Sequence, residues 1–157
     1  MEWLAVLLVM IETFKQFSSG ADILDPNGNY SIHIPIVSYV DDNSIVKSLE
    51  RLKDCDTIFE EASAEMTHWK RILRVTGGDL APQKCTVALM KWKWNESRGY
   101  STMMTKQEAP GTINISDRTE GSDQTVLLRR LEVNEGDRQL GIILPLDGSF
   151  TQERQRR

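Results

Sequence analysis

The chain begins with a stretch that is apolar on nearly every side. Residues 3–11 contain no charged side chain, and the pattern continues until the small polar cluster 18–20. A continuous apolar run that ends in such a cluster predicts a buried helix over residues 3–17. Glu2 and Glu12 bound the run, which is shorter than the about 20 apolar residues that a membrane span needs. We therefore expect no membrane span in this segment.

Alternating apolar positions then predict a strand with an acidic end. Residues 30–36 alternate with apolar side chains of one parity, and β-branched and aromatic residues extend the pattern to Val40. Asp41 and Asp42 interrupt the strand, and residues 44–46 can form a return strand. This pattern predicts a β-hairpin whose tip carries two adjacent carboxylates.

The clearest period in the chain predicts an amphipathic helix. Seven apolar or small residues follow one another in steps of three and four, which places them on one helical face. They are Leu52, Cys55, Phe59, Ala62, Met66, Trp69 and Leu73. Thr57 and Glu60 fit a capping box, so regular helix should begin there, and Gly77 and Gly78 should end it. We interpret the apolar face as part of a core.

The second half of the chain changes to short apolar segments between polar turns. The predicted strands are 86–94, 100–103, 112–115, 125–133 and 139–144. Two helices followed by such strands predict an α+β fold, in which we expect these short strands to be antiparallel, and not a regular βαβ alternation. We divide the chain into residues 1–94, a strand-rich connection over 95–150, and a basic tail over 151–157.

Charge is distributed unevenly along the chain. The net charge is −4 overall, and it is −5 over residues 1–50, +2 over 51–100 and −1 over 101–157. The overall balance excludes a protein that binds nucleic acid through bulk positive charge alone. It leaves room for a metal site near the start and for phosphate contacts further along the chain.

Cysteine and histidine provide no framework for a disulfide-rich or zinc-binding domain. The chain has two cysteines, Cys55 and Cys85, and two histidines, His33 and His68, at spacings that match neither class. We therefore expect reduced thiols and an intracellular protein. His33 and His68 have no nucleophile beside them in the sequence, so a hydrolase triad is unsupported.

Asp41 and Asp42 are the residues that stand out chemically. Adjacent carboxylates at the end of an apolar strand are costly to place near a core without a countercharge. Mg²⁺ is a suitable countercharge because it binds one or two protein carboxylates together with substrate phosphates. The alternative from the residues alone is an exposed polar turn that joins two strands.

The order of motifs around these residues resembles the palm of a reverse transcriptase of retrotransposon type. The segment YVDD, residues 39–42, is similar to the family's Y-x-D-D box, and an amphipathic helix follows it. The segment TGGDLAPQKC is similar to the later region in which a glycine turn leads to a lysine. The string LEVNEGDRQLGIILPLDG resembles the segment after the palm, so the resemblance spans about residues 3–147.

This resemblance implies an RNA-directed DNA polymerase, with a partial palm whose β-hairpin carries YVDD. Asp41 would be a metal-binding carboxylate and Asp42 its second ligand, with Mg²⁺ or Mn²⁺ as the cofactor. Tyr39 would lie beside the primer end, and Lys84 would neutralise or protonate the leaving pyrophosphate. The implied partners are an RNA template, a DNA primer and deoxynucleotides.

The family's metal site includes a further aspartate on an earlier palm strand. Asp22 and Asp25 are the only earlier aspartates, and both lie in the loop region just before the predicted strand. We therefore expect this chain to be a fragment that is inactive, or nearly so, by itself. Two alternatives remain: a non-catalytic α+β remnant or interaction module in which the aspartates form a polar turn, and a fragment that does not fold stably alone because an edge and an apolar helix stay uncovered.

Overall fold

The protein is an α+β chain that divides into two compact units. The computed structural model describes residues 2–39, 42–48, 54–119, 122–139, 142–145 and 147. These residues form two α-helices and twelve short strands, which confirms the predicted α+β class. The units comprise residues 1–80 and 81–157, so the predicted division at residue 94 lies within the second unit.

The first unit contains both helices and two antiparallel strand pairs. Its elements are α1 (Glu2–Lys15), β1 (Ala21–Leu24), β2 (Ser31–Ile34), β3 (Ile36–Tyr39), β4 (Asp42–Ile45) and α2 (Cys55–Val75). The predicted first helix is confirmed. The single strand predicted over residues 30–40 is wrong, because β2 pairs with β1 whereas β3 pairs with β4. Pro35 separates the two strands, since a proline has no N–H to donate to a continuing ladder.

An aromatic contact joins the two helices in the core of this unit. Phe14 of α1 and Trp69 of α2 meet edge to face, with ring centroids 5.3 Å apart and planes at 73°. Met10 and Ile36 complete the buried cluster, so α1, β3 and α2 share one core. Edge-to-face contact places the positive ring edge on the negative face of its partner, which adds to the gain from apolar burial.

Helix α2 begins earlier than its sequence suggested. The capping box predicted at Thr57 and Glu60 is wrong, because Asp54 is the N-cap and its carboxylate accepts a hydrogen bond from the Thr57 N–H at 2.7 Å. Aspartate is among the strongest N-cap residues, and its charge also interacts favourably with the helix dipole. Leu52, the first residue of the predicted apolar face, lies outside the described residues.

The glycine pair ends α2 as predicted. Gly77 adopts a φ of +84°, and its N–H donates to the Arg74 carbonyl oxygen at 3.1 Å. The Gly78 N–H donates to the Leu73 carbonyl oxygen at 2.9 Å. These two bonds form a Schellman motif, for which a glycine in the left-handed region is favoured.

The second unit consists of short strands after a 3₁₀ turn over Pro82–Lys84. The strands are β5 (Thr86–Val87), β6 (Trp92–Asn95), β7 (Tyr100–Met103), β8 (Asn114–Thr119), β9 (Ser122–Leu127), β10 (Arg129–Arg130), β11 (Gly136–Gln139) and β12 (Ile142–Pro145). Three antiparallel hairpins, β6–β7, β8–β9 and β11–β12, account for six of them. β5 and β10 form a short parallel pair, which the expectation of antiparallel strands did not include.

Several strand boundaries in this unit differ from the predicted ones. The strand expected over 100–103 is confirmed, whereas the one expected over 86–94 is interrupted between β5 and β6. The single strand predicted over 139–144 is wrong because it spans the turn between β11 and β12. Apolar composition alone does not separate one long strand from two short ones that are joined by a turn.

A buried arginine supports the centre of the second unit. Arg130 is 9% exposed, and its guanidinium donates hydrogen bonds to the carbonyl oxygens of Ala109 and Gly111. Among the described residues of this unit, the buried apolar side chains are Leu89, Ala109, Ile113, Ile115, Leu128 and Leu131. The arginine therefore provides donors for loop carbonyls that strand pairing does not satisfy.

Two phenylalanines near the end of α1 provide a matched test of the core. Phe14 is fully buried and Phe17 is 51% exposed. We expect Phe14→Ala to lower the free energy of unfolding by about 3–5 kcal/mol, because it removes a buried ring and leaves a cavity. Phe17→Ala should cost less than about 1 kcal/mol. Urea unfolding followed by circular dichroism would check this, and equal losses in the two variants would contradict the described core.

The cap of α2 predicts a defined pH dependence. The Thr57 backbone N–H stabilises the ionised Asp54 carboxylate and so lowers its pKa from the ordinary value of 3.8. A folded pKa below the unfolded one means that Asp54 stabilises the fold above about pH 3.8 and that this contribution is lost as the pH falls through the folded value. The Asp54→Asn variant keeps a capping acceptor without titrating, so its stability should fall less steeply in acid. Denaturant unfolding between about pH 2.5 and pH 5 measures the difference, and identical slopes would contradict it.

Candidate functional site

The YVDD segment lies at the end of the β3–β4 hairpin. Cross-strand pairing places Tyr39 opposite Asp42 and Ser38 opposite Asn43. Val40 and Asp41, which come between the paired residues, lie outside the described residues. A return strand follows as predicted, but it begins at Asp42 and not at residue 44, so Asp42 and Asn43 belong to β4 and do not interrupt the pairing. The backbones of Tyr39 and Asp42 are the pair nearest the end of the hairpin.

The other end of this hairpin is fixed in the core. Ile36 pairs with Ile45, and both side chains pack in the cluster around Trp69. The Val46 N–H donates to the Pro35 carbonyl oxygen at 3.1 Å, which extends the pairing by one step beyond β3. An isolated two-stranded hairpin is only marginally stable in water. Burial of one end of the hairpin therefore provides the stability that strand pairing alone does not.

A buried ion pair fixes the chain directly after β4. The Lys47 ammonium lies 2.7 Å from a Glu65 carboxylate oxygen and 3.2 Å from Glu61. The side chains of Lys47 and Glu65 are 13% and 6% exposed. A buried ion pair requires close geometry and further hydrogen bonds to offset the loss of hydration.

The turn after α1 supplies those further hydrogen bonds. The Ser18 hydroxyl donates to Glu65 at 3.1 Å, and the Ser19 N–H and hydroxyl donate to the other carboxylate oxygen, each at 3.3 Å. Lys47 also donates to the Ser19 hydroxyl oxygen at 2.6 Å. We call Ser18, Ser19, Lys47, Glu61 and Glu65 the Glu65 network. It connects α1, β4 and α2 through polar contacts beside the apolar core.

Sequence reasoning missed this network, although the sequence contains one sign of it. Glu65 follows Ala62 by three residues and precedes Trp69 by four, so it belongs to the helical face that the apolar period marks as core. A charged residue within such a face needs a buried partner. Lys47 could not be identified as that partner from spacing alone.

The four residues assigned by resemblance fall into two different units. Tyr39 and Asp42 are brought together as a backbone pair, and Asp41 is outside the described residues. Lys84 is an exposed residue at the end of the 3₁₀ turn in the second unit. Its assigned role with the leaving pyrophosphate stays a prediction.

The described residues contain no preassembled metal cluster. No group of three or more His, Cys, Asp or Glu side chains that could hold a metal ion occurs among them. In the same part of the chain, no helix is both long and apolar enough to cross a membrane. A pair of adjacent carboxylates has fewer than three such side chains, and it matches the one or two protein carboxylates that Mg²⁺ uses with substrate phosphates.

The histidines and cysteines have structural environments. His33 lies in β2, where its Nδ1 is 2.9 Å from Asp22 Oδ1 at an exposed position. His68 stacks on Phe17 at 4.7 Å, beside a shallow apolar groove of about 200 Å³. Neither cysteine forms a disulfide, although both lie within the described residues, and burial raises the pKa of the Cys85 thiol. A raised pKa lowers the thiolate fraction that a nucleophilic cysteine needs.

Comparison with protein-family models, with curated proteins and with solved structures finds no match for this chain.

The Glu65 network generates a stability prediction. Glu65→Gln removes one charge of a buried pair while keeping the shape of the side chain, so we expect a loss of about 2–4 kcal/mol in the free energy of unfolding. The control is Glu60→Gln, at an exposed position on the same helix, which should change stability by no more than about 0.5 kcal/mol.

A double-mutant cycle separates the ion pair from its surroundings. Lys47→Met with Glu65→Met removes both charges, and we expect the double variant to lose less stability than the sum of the two single variants. Strictly additive losses, measured by urea unfolding, would show that the two side chains do not interact.

Proposed function

We propose that this chain is the C-terminal palm portion, with part of the following connection, of a retrotransposon-type RNA-directed DNA polymerase. The reaction of such an enzyme adds deoxynucleotides to a DNA primer on an RNA template. The register of the β3–β4 hairpin carries the proposal, because it pairs the first and last residues of YVDD across the turn.

The anchoring of this hairpin supports the same function. Template-directed nucleotidyl transfer needs carboxylates that are accessible to a large polyanionic substrate and are still held in a fixed position. The Ile36–Ile45 end of the hairpin lies in the core, and Lys47 of the Glu65 network fixes the chain just beyond it. A functional group carried on such a rigid element is positioned more closely than one on a free loop.

The proposal assigns a separate role to each residue. Asp41 and Asp42 would bind Mg²⁺ or Mn²⁺, and Tyr39 would lie beside the primer end. Lys84 would provide positive charge for the leaving pyrophosphate. Bound at the two carboxylates, the metal would lower the pKa of the attacking hydroxyl and neutralise developing phosphate charge.

Metal binding at the hairpin provides the test. We expect Mn²⁺ to broaden the backbone NMR signals of residues 39–44 in the full chain, because a paramagnetic ion relaxes nuclei close to its ligands. The double variant Asp41→Asn/Asp42→Asn should lose this broadening. Asp22→Asn, on the neighbouring β1–β2 hairpin, should keep it and serves as the matched carboxylate control.

A second arm of the experiment separates a polymerase remnant from a polar turn. A DNA primer annealed to an RNA template, with the complementary deoxynucleotide, should lower the Mn²⁺ concentration needed for broadening, because substrate phosphates complete the coordination of the ion. Broadening that persists in the double variant would overturn the metal assignment. Broadening that needs the same Mn²⁺ concentration with and without the primer–template would favour an interaction module instead.

A further inference from the structure

A shallow apolar groove lies along one face of α2 in the first unit. It has a volume of about 200 Å³, and it is lined by Phe17, His68, Arg71, Ile72 and Val75. The four residues from α2 are spaced i, i+3, i+4 and i+7, so they share one helical face. We call this site the α2 groove. Of its five residues, only Ile72 also packs against the buried cluster around Trp69. Core packing therefore does not account for the groove.

Phe17, which lines the groove from outside α2, is held in place although it is half exposed. Its ring stacks on the His68 imidazole, with centroids 4.7 Å apart and planes at 13°. Its backbone N–H donates to the Phe14 carbonyl oxygen at 2.9 Å, and the next residue, Ser18, donates to Glu65. The Glu65 network therefore fixes the chain at this wall of the groove. A wall that is already ordered loses little conformational entropy when a ligand binds.

The dimensions of the groove suit a side chain of another protein. Pockets for cofactors and drug-sized ligands have volumes of about 300–1,000 Å³ and enclose most of the ligand. The α2 groove is smaller, and it is open to solvent at Val75, which is 89% exposed. Grooves of this kind receive apolar side chains that project from a helix of a partner. We therefore expect a peptide with an apolar anchor as the ligand.

The groove carries a positive charge that the described part of the chain does not neutralise. Arg71 is exposed and forms no ion pair there, whereas Arg74, one turn further along α2, pairs with Asp79 at 3.5 Å. Residues 66–78 contain three basic side chains and no acidic one, although residues 1–80 have a net charge of −6. Because the lining is apolar, Arg71 lines the groove with its methylene stem. Its guanidinium is therefore available to an acidic group bound at the rim.

We infer that the α2 groove binds an acidic segment of a partner protein, with an apolar side chain against Phe17 and a carboxylate bound by Arg71. The planar guanidinium matches the geometry of a carboxylate, and arginine and aromatic residues are enriched in protein interfaces. Nucleic acid fits less well, because backbone binding depends on several cations and Arg71 alone is unpaired at the groove. A symmetric contact with a second copy would bring two such positive segments together. The inference goes beyond the proposed polymerase site, and it requires neither Asp41 nor Asp42.

The test measures binding of three labelled peptides to the full chain by fluorescence anisotropy. Each has about 16 residues, a length at which an isolated helix can form. The first carries phenylalanine and leucine four positions apart and is otherwise rich in glutamate and alanine, the second has lysine for every glutamate, and the third has alanine for the two apolar anchors. At low salt, we expect the acidic peptide to bind about 10-fold or more tightly than either of the others.

Two variants of the groove and two matched controls locate the binding site. Arg71→Glu should reverse the preference, so that the basic peptide binds more tightly than the acidic one, because the charge at the rim is inverted. Phe17→Ala should weaken binding of the acidic peptide by about fivefold or more, since one wall of the groove is lost. Arg98→Glu, at an exposed arginine of the second unit, and Tyr30→Ala, at an aromatic residue that is 77% exposed, should bind as the wild type does.

Three results would overturn the inference: no binding of the acidic peptide, equal affinity for the acidic and basic peptides, and an unchanged preference in Arg71→Glu. Self-association in sedimentation that Phe17→Ala abolishes would also overturn it, because a second copy would then occupy the groove. Arg71→Glu replaces one exposed charge by another, so it provides the test if Phe17→Ala alters the circular dichroism spectrum. The Asp41→Asn/Asp42→Asn variant should bind the acidic peptide as the wild type does, so failure of the metal proposal would remain distinguishable.

Discussion

A single buried carboxylate constrains how the first unit is assembled. Glu65 is 5% exposed in the middle of α2, so its charge must be compensated within the protein. Its partners come from two other segments: Ser18 and Ser19 from the turn after α1, and Lys47 from the residues after β4. A shift of either segment along α2 would leave a buried charge without its ligands. The apolar core alone imposes no such condition, because hydrophobic contact is non-directional.

The same network helps to hold the β3–β4 hairpin in position. Among the described residues, β3 and β4 pair only with each other, so backbone pairing gives the hairpin little independent stability. Ile36 in the core and Lys47 in the Glu65 network fix one end of the hairpin from two sides. The end that carries Tyr39 and Asp42 is thereby held by contacts made several residues away. The residues of the proposed metal site can therefore be substituted without removing the contacts that hold the hairpin.

Local patterns predicted some parts of this fold, and the reason for each outcome is physical. The apolar run of α1 and the period of three and four in α2 identified both helices, because each helix buries a continuous face. Gly77 identified the end of α2, since its left-handed φ suits glycine. The strand division at Pro35 and the N-cap at Asp54 were missed, although both depend on single residues whose effect was outweighed by the surrounding pattern.

Other features depend on contacts that a pattern does not contain. The pairing of Glu65 with Lys47 joins residues 18 positions apart, and the parallel pairing of β5 with β10 joins segments more than 40 positions apart. The sequence indicated the hairpin that carries YVDD, because strand, turn and return strand are adjacent. The exposure of Trp92 and Trp94 was not predictable, since alternating aromatic residues equally describe a buried strand face.

The distribution of charge follows the division into two compact units. Residues 1–80 have a net charge of −6 and residues 81–157 have a net charge of +2. The overall acidity of the chain is therefore compatible with nucleic-acid binding, because association responds to the local potential at the contact surface as well as to net charge.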